Sequence, residues 1–399
     1  MDTITHGIAG ALIGKAGFGG EDLFALRPMN RRRIVTWALM LGAIFPDSDI
    51  AREMFSRNQL LILTWHRGIT HSLVCLPIWA VLLAALTRRI ARWRKWDAPS
   101  FGFLAGVYAL GILSHILLDL VTSFGTMIWS PLRWSRPSWD MIFIVDLALA
   151  AILLVPQWIA WAYADSERSR RRTLALCAVF LALWLVLYLL LQNVGAPISS
   201  HTAVAIVLLL AAVFLLPGIR GWGFRVSAAT WSRAGLLVTC AYMIAAFLAH
   251  RSALDRVRQF AAFEHLEPEA LGALPLPPSL WRWDGLIRTE RGVYELRMDL
   301  AEKWPIGGKA SANDAIEYRY FPDARTNAYI EEARRLPEVQ KVLWFSRFPL
   351  TRFRQLGNQA VVEFSDLRFP QRPGRPPSFT YRVTFGPSGQ VLSQGWLRE

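Results

Sequence analysis

The sequence predicts a mainly α protein, with a polytopic helical membrane domain and a small β-rich C-terminal domain. Three observations carry this prediction. First, 53% of the 399 residues are hydrophobic, with 18 Trp and 22 Phe, and mean hydropathy is positive. Apolar runs approaching membrane-span length, about 18 residues or more, recur as far as Leu248. Second, clustered arginines fall in short loops between these runs, as topology determinants do. Third, the apolar helical runs end near residue 250, and from Trp281 onward two-residue alternation dominates.

In chain order, residues 1–17 hold a short Gly/Ala-rich helix, Ile8 to Ala16, too short to cross a bilayer core of about 30 Å comfortably. A loop follows to Arg31-Arg32-Arg33, and the run Ile34–Phe45 ends at Pro46-Asp47-Ser48-Asp49. A polar stretch reaches Thr64. Trp65-His66-Arg67-Gly68-Ile69-Thr70-His71-Ser72 then leads into Leu73–Leu86, which exits through arginines 88–94. Phe101–Val121 is next, followed by an aromatic loop, Thr122–Asp140, and the run Met141–Tyr163. After the basic cluster Arg168–Arg172 come Leu174–Leu191, Ala203–Leu216 and Ala234–Leu248. The count is about seven spans, with the N-terminal segment an eighth candidate.

Four regions are expected: 1–165, a membrane-embedded catalytic region; 166–250, additional transmembrane helices; 251–280, a polar helix and a stiff linker, Leu274-Pro-Leu-Pro-Pro-Ser-Leu280; and 281–399, a β-rich extramembrane domain. In the last, Gly292–Met298, Glu317–Phe321, Val342–Phe345 and Ala360–Phe364 alternate like strands, and Phe379–Leu392 reads as a hairpin. No catalytic pattern is evident there.

The formal charge is +14. In a soluble protein this would suggest nucleic acid. Here the arginines flank apolar runs, so membrane lipids with anionic headgroups are the expected partners, and no nucleic acid is. Cys75, Cys177 and Cys240 lie in apolar runs without a CxxC spacing, which argues against a disulfide framework or Cys-ligated zinc and fits buried small hydrophobes. Met1–Gly7 lacks a basic n-region, so a cleavable signal is not expected.

The chemistry concentrates in the first 150 residues. His115 and Asp119 are four apart in Phe101–Val121 and so share a helix face. An isolated ionisable group at bilayer depth costs about 2.5–3.5 kcal/mol on insertion scales, so such a pair needs partners. The available partners are His6, Asp47, Asp49, His66 and His71, with Asp146 as a ligand or an acceptor for a histidine N–H. His66 and His71 are five apart, which a helix would splay by about 140°, so a turn is expected before a helix starts near Ser72. The mixed His/Asp set suits a divalent metal, Zn²⁺ first, with Mn²⁺ or Fe²⁺ as alternatives. Asp49, His71 and Arg67 are the candidate catalytic residues, Arg67 as a cation for a phosphate oxygen. No nucleophile elbow, phosphate-binding loop or dinucleotide fingerprint occurs. With the arginine clusters on the cytoplasmic side, the motif residues collect at the outer face.

At Asp2-x-x-Thr5-His6-x-x-x-Gly10, Pro46-Asp47-x-Asp49, His66-Arg67-Gly68-x-Thr70-His71-Ser72 and His115-x-x-x-Asp119-x-x-Thr122-x-x-Gly125 the sequence resembles the YdjM (DUF457) family of bacterial inner-membrane proteins, described as metal-dependent hydrolases. The resemblance covers roughly residues 1–165. It implies a membrane-bound hydrolase with His6, Asp47, Asp49, His66, His71, His115 and Asp119 near a metal. The order of the motifs is also similar in layout to zinc phospholipase C and comparable zinc nucleases, helical proteins that act on phosphodiesters. The leading expectation is therefore hydrolysis of a phosphoester or lipid-linked, amphiphilic substrate. Two others compete: a metal-ion transporter, since HxxxD on a membrane helix also resembles cation diffusion facilitators, and a non-enzymatic envelope protein.

Overall fold

The structure, a computed structural model, describes residues 1–19, 30–56, 60–193, 199–277, 280–304, 316–369 and 379–397. Helix α1 (Thr3–Phe18) begins at Asp2, whose carboxylate accepts from the Thr5 N–H. Its 16 residues make a rod of about 24 Å, shorter than a bilayer core. It lies hard against α2 (Arg31–Ile44). A Cβ on Gly10 would sit 2.6 Å from the Leu39 carbonyl oxygen, so only glycine permits this approach. A 3₁₀ turn, Phe45–Asp49, joins α2 to α3 (Ile50–Phe55). The short α4 (Leu61–Thr64) and a second 3₁₀ turn, Ile69–His71, precede α5 (Leu76–Arg94). The expected turn between His66 and His71 is present, and the helix starts four residues after Ser72, at Leu76. Helix α6 (Phe101–Leu120) packs on α2, where Gly111 repeats the close contact with Leu39.

The bundle continues through α7 (Leu147–Ala162), α8 (Ser166–Asn193), α9 (Ser200–Leu215) and α10 (Ala228–Phe263). Among the described residues, five stretches are long and apolar enough to cross a membrane: Arg31–Arg52, Phe101–Leu120, Ser166–Leu189, Ser200–Arg225 and Ala228–Phe263. The bent pair Leu61–His71 and Leu76–Arg94 could form a sixth, and α7 is a shorter apolar helix. Their outward side chains, such as Leu183, Leu208 and Ile244, are exposed, as lipid contact requires. The arginine clusters share one end of the bundle. Arg31 pairs with Asp97 between α5 and α6, Arg172 donates to the Trp161 carbonyl at the end of α7, and Arg233 donates to the Ala16 carbonyl at the end of α1.

Several local expectations change. The run Met141–Tyr163 is helical only from Leu147, with Asp146 outside the helix as its N-cap. The apolar run ending at Leu248 and the polar helix after Arg251 are one 36-residue helix, α10, so residue 250 is not a boundary. The expected linker begins as strand, because Leu274–Leu276 end β1 (Ala270–Leu276) at a sheet edge, where Pro275 is tolerated; Pro278 and Ser279 lie outside the described residues. Of the cysteines, Cys75 is buried while Cys240 is exposed on α10.

Two four-stranded antiparallel sheets form the C-terminal domain. The first has the order β1, β2 (Arg282–Thr289), β3 (Gly292–Asp299), β4 (Tyr318–Pro322). Then come α11 (Ala328–Arg335) and α12 (Pro337–Phe345). The second sheet runs β5 (Pro349–Leu356), β6 (Gln359–Asp366), β7 (Thr380–Phe385), β8 (Val391–Trp396). Val342–Phe345, expected as strand, is the last turn of α12. Val339, Val342 and Phe345 recur every three residues on one buried face, and Pro337 starts the helix.

The sheets are bonded to the bundle rather than tethered to it. The end of α10 buries Ala253, Val257 and Phe260 against Trp283, Ile287 and Leu296 of the first sheet. The second sheet and α12 share a core with Leu60, Leu63 and Phe124 of the membrane domain. Arg368, after β6, donates to the Ser123 carbonyl at 3.0 Å, and Arg347 pairs with Asp140 at 2.8 Å.

Candidate metal centre

The motif residues meet where α2 and α6 end. In the 3₁₀ turn after α2 the two carboxylates of Asp47 and Asp49 both point inward and are buried. The His66–His71 segment doubles back because Arg67 takes a left-handed backbone, φ 59°, and a Cβ on Gly68 would meet the Trp65 carbonyl at 2.6 Å. His71 and His115 are fully buried.

Four donor atoms converge. His71 Nε2 and His115 Nε2 are 3.0 Å apart. Asp119 Oδ2 is 3.3 Å from the first and 3.4 Å from the second. Asp47 Oδ1 is 3.6 Å and 3.5 Å from them. Ligands at bond lengths of about 2.0–2.2 Å in a tetrahedron lie about 3.3–3.6 Å apart. The cluster therefore has nearly the spacing of a four-coordinate divalent ion, and Asp47, His71, His115 and Asp119 form a buried group able to hold one.

The tautomers agree. His115 Nδ1 lies 2.6 Å from the Ala43 carbonyl, which can only accept, so Nδ1 carries the proton. His71 Nδ1 faces Thr70 Oγ1 at 3.1 Å and Asp49 Oδ2 at 3.4 Å, and it too donates. Both Nε2 lone pairs then face one point, an arrangement that repels unless a cation occupies it. Asp119 Oδ2 is buried and has no hydrogen-bond partner among the described residues. The donor set and this orphaned oxygen fit a metal.

The remaining candidates surround this group. Asp49 accepts from His66 Nδ1 (3.0 Å), the Arg67 N–H (3.0 Å) and Thr70 Oγ1 (3.1 Å), so it orients histidines. Arg67 is 2% exposed and pairs with Asp119 Oδ1 at 2.8 Å, so its charge is already engaged by a carboxylate. His6 stacks on His115 with centroids 3.6 Å apart, and its Nε2 lies 3.2 Å from Asp119 Oδ1. Asp146 stands apart: it caps α7 through Ala148 and Leu149 and accepts from the Tyr242 hydroxyl.

Several participants escaped the sequence reading. Thr3 donates to Asp47 Oδ2 at 2.6 Å, and Thr122 accepts from Arg67. Arg136 is half-buried over the Phe124 ring and donates to the Leu63 and Gly125 carbonyls. Burial, then the charges of Arg67 and Arg368, lowers its pKa to about 9. Thr122 lies in a quoted motif, but Arg136 and Arg368 are single arginines in a basic chain and carry no sequence signal. Beside the centre lies a cavity of about 440 Å³. His66, Arg67 and Phe124 line one side, and Leu276, Asp284 and Arg368 of the C-terminal domain line the other.

The order and geometry of these motifs agree with the comparison to known families. Residues 1–195 match the YdjM inner membrane protein family. The match takes in every residue of the centre and ends before α9, so the later helices and both sheets lie outside it. Together with the five apolar spans, it supports an inner-membrane location. Over 159 residues the chain is 26% identical to the uncharacterized protein YfhP of Bacillus subtilis (strain 168), which covers 38% of this chain. The chain spans about half, 46%, of that relative's length. No solved structure matches.

Proposed function

We propose that the protein is a membrane-bound metal-dependent hydrolase that activates water at its His/Asp centre and cleaves a phosphoester or lipid-linked substrate. The observation that carries this reading is the convergence of donor atoms from Asp47, His71, His115 and Asp119, buried beside a cavity of substrate size. Two imidazoles and two carboxylates at this spacing favour zinc. A divalent ion bound there would lower the pKa of a water to about 7 and polarise a phosphoryl oxygen.

The chain's own residues supply the rest. Asp49 holds the Nδ1–H of His66 and lies behind that of His71, which keeps both rings oriented. His66 lines the cavity without belonging to the four-donor group, so it is the residue assigned to proton transfer. Arg67 holds Asp119 in place and offsets part of the carboxylate charge. The arginine clusters gather at the far end of the bundle, which by the positive-inside rule supports a periplasmic position for the centre and the sheets. A C-terminal alkaline phosphatase fusion should then be active and a green fluorescent protein fusion dark; the reverse would overturn that orientation. The centre lies beside the ends of α2 and α6, which favours an amphiphilic substrate over a transported ion.

The test is metal content by inductively coupled plasma mass spectrometry on detergent-purified protein, alongside cleavage of a chromogenic phosphodiester. Wild type should carry about one zinc per chain and lose activity to a chelator. A folded His115→Ala, Asp119→Ala variant should carry none. Wild type that binds no metal after reconstitution would refute the proposal.

A further inference from the structure

The cavity beside the centre has walls of three kinds. Phe124, Ile144 and Leu276 make it mostly apolar. At one end stand His66 and Arg67, next to the four-donor group. The first sheet adds two carboxylates to the lining, Asp284 on β2 and Glu295 on β3. Their states differ. Glu295 is bonded to Arg319 across β3 and β4. Asp284 has only Arg297, at 3.9 Å, and its Oδ1 is buried without a hydrogen bond among the described residues. Burial and then the charge of Glu295 push Asp284 up to about 7. The cations of the cavity are, by contrast, each held by a close carboxylate: Arg368 by Asp366, and Arg67 and the Met1 α-ammonium together by Asp119. The cavity carboxylate without a close partner is thus Asp284, on the C-terminal domain. A buried acid in this condition is completed by a cation that brings its own N–H donors.

The cavity is also placed for a lipid. Its wall segment Phe143–Ile144 runs directly into α7, with Val145 and Leu147 exposed. On the facing side Leu274–Leu276 form an unpaired sheet edge. An acyl chain leaving between them enters the bilayer rather than water.

Resting on the hydrolase reading above, we propose that the cavity is a substrate chamber for a zwitterionic amphiphile. Its phosphoester lies by Arg67 and His66, its chain on the apolar wall, and its ammonium group on Asp284. The C-terminal domain is then the wall that selects the headgroup, and the membrane domain the wall that reacts.

The experiment is native mass spectrometry of the full chain released from detergent with equimolar phosphatidylethanolamine and phosphatidylglycerol of the same acyl chains, with chelator present so that nothing is turned over. Wild type should retain the ethanolamine lipid several-fold more than the glycerol lipid. Asp284→Asn, which keeps the shape and breaks no hydrogen bond to Oδ1, should bring the ratio close to one. Equal retention by wild type, or an unchanged ratio in Asp284→Asn, would overturn the chamber assignment. Because the readout is binding, it separates from the hydrolase reading. Selective retention without hydrolysis in the metal-loaded protein would leave the chamber standing and remove the reaction. Hydrolysis without selectivity would do the opposite.

Discussion

Asp49 makes no contact with the proposed ion, yet its replacement by Asn should weaken metal binding. Its two oxygens serve three clear donors: His66 Nδ1 on Oδ1, and the Arg67 N–H and Thr70 hydroxyl on Oδ2. An amide has one acceptor oxygen. With the amide nitrogen at the Oδ1 position, His66 must change tautomer to accept from it; with the nitrogen at Oδ2, two donors lose their acceptor. Each donor left unsatisfied costs about 1–3 kcal/mol. In either orientation the negative charge behind the His71 Nδ1–H disappears, and with it the pull that keeps the Nε2 lone pair on the metal side. Loss of such an outer partner typically lowers metal affinity about 10–100-fold, or about 1.4–2.7 kcal/mol. The assay is competition with a chromophoric zinc chelator in detergent, on Asp49→Asn and wild type whose far-ultraviolet circular dichroism agrees. An affinity unchanged within about twofold would refute the idea that Asp49 orients a ligand.

Three further outcomes are expected. Gly10→Val drives a side chain into the Leu39 carbonyl 2.6 Å from its Cβ. It should cost about 1–3 kcal/mol by overpacking, lower the melting temperature and reduce bound metal, because α1 carries His6 and α2 leads into the turn that carries Asp47. Arg368→Ala leaves Asp366, 1% exposed, without its guanidinium. The cost should be about 3–5 kcal/mol, and limited proteolysis should cut the chain near Ser123 or Phe345, whose carbonyls lose a donor. The pH response of the C-terminal domain should follow Asp284. Its pKa is raised to about 7, so between about pH 4 and 7 the folded chain keeps a proton that the unfolded chain has released, and stability falls as pH rises through that window, then levels off. Melting curves across the window should show this fall in wild type and a flatter profile in Asp284→Asn.

Much of this arrangement was legible from the residues. Each of the seven apolar runs contributed a helix, though two start later than the run does, because segments of that hydrophobicity satisfy their backbone in lipid as helices. The four-donor group came from the motifs because ionisable side chains are costly at that depth, and their presence reports a purpose. Asp146 misled for the opposite reason: a carboxylate at a helix start satisfies backbone donors, and nothing local in the sequence distinguishes such a cap from a ligand. Val342–Phe345 misled because four residues suit either period; only Pro337, five residues earlier, marked the helix. The partnership between the sheets and the centre could not be read at all. It rests on Arg368, Asp284 and Phe124, which are far apart in sequence and individually ordinary, and which meet only through tertiary packing.

One feature of the fold bears on how the chamber could open. Helix α10 is a single rod of 36 residues, about 54 Å long. It starts beside the C-terminal end of α1 and finishes inside the core of the first sheet. No proline or glycine interrupts it after Gly235. The rod therefore acts as a lever. A tilt of one degree about its basic end carries the sheet end about 1 Å, so a change in bilayer thickness that leans α10 also shifts β1 and β2 across the mouth of the cavity. A lean imposed on α10 by the bilayer would thus move the first sheet with it, because the rod itself has no break at which to bend.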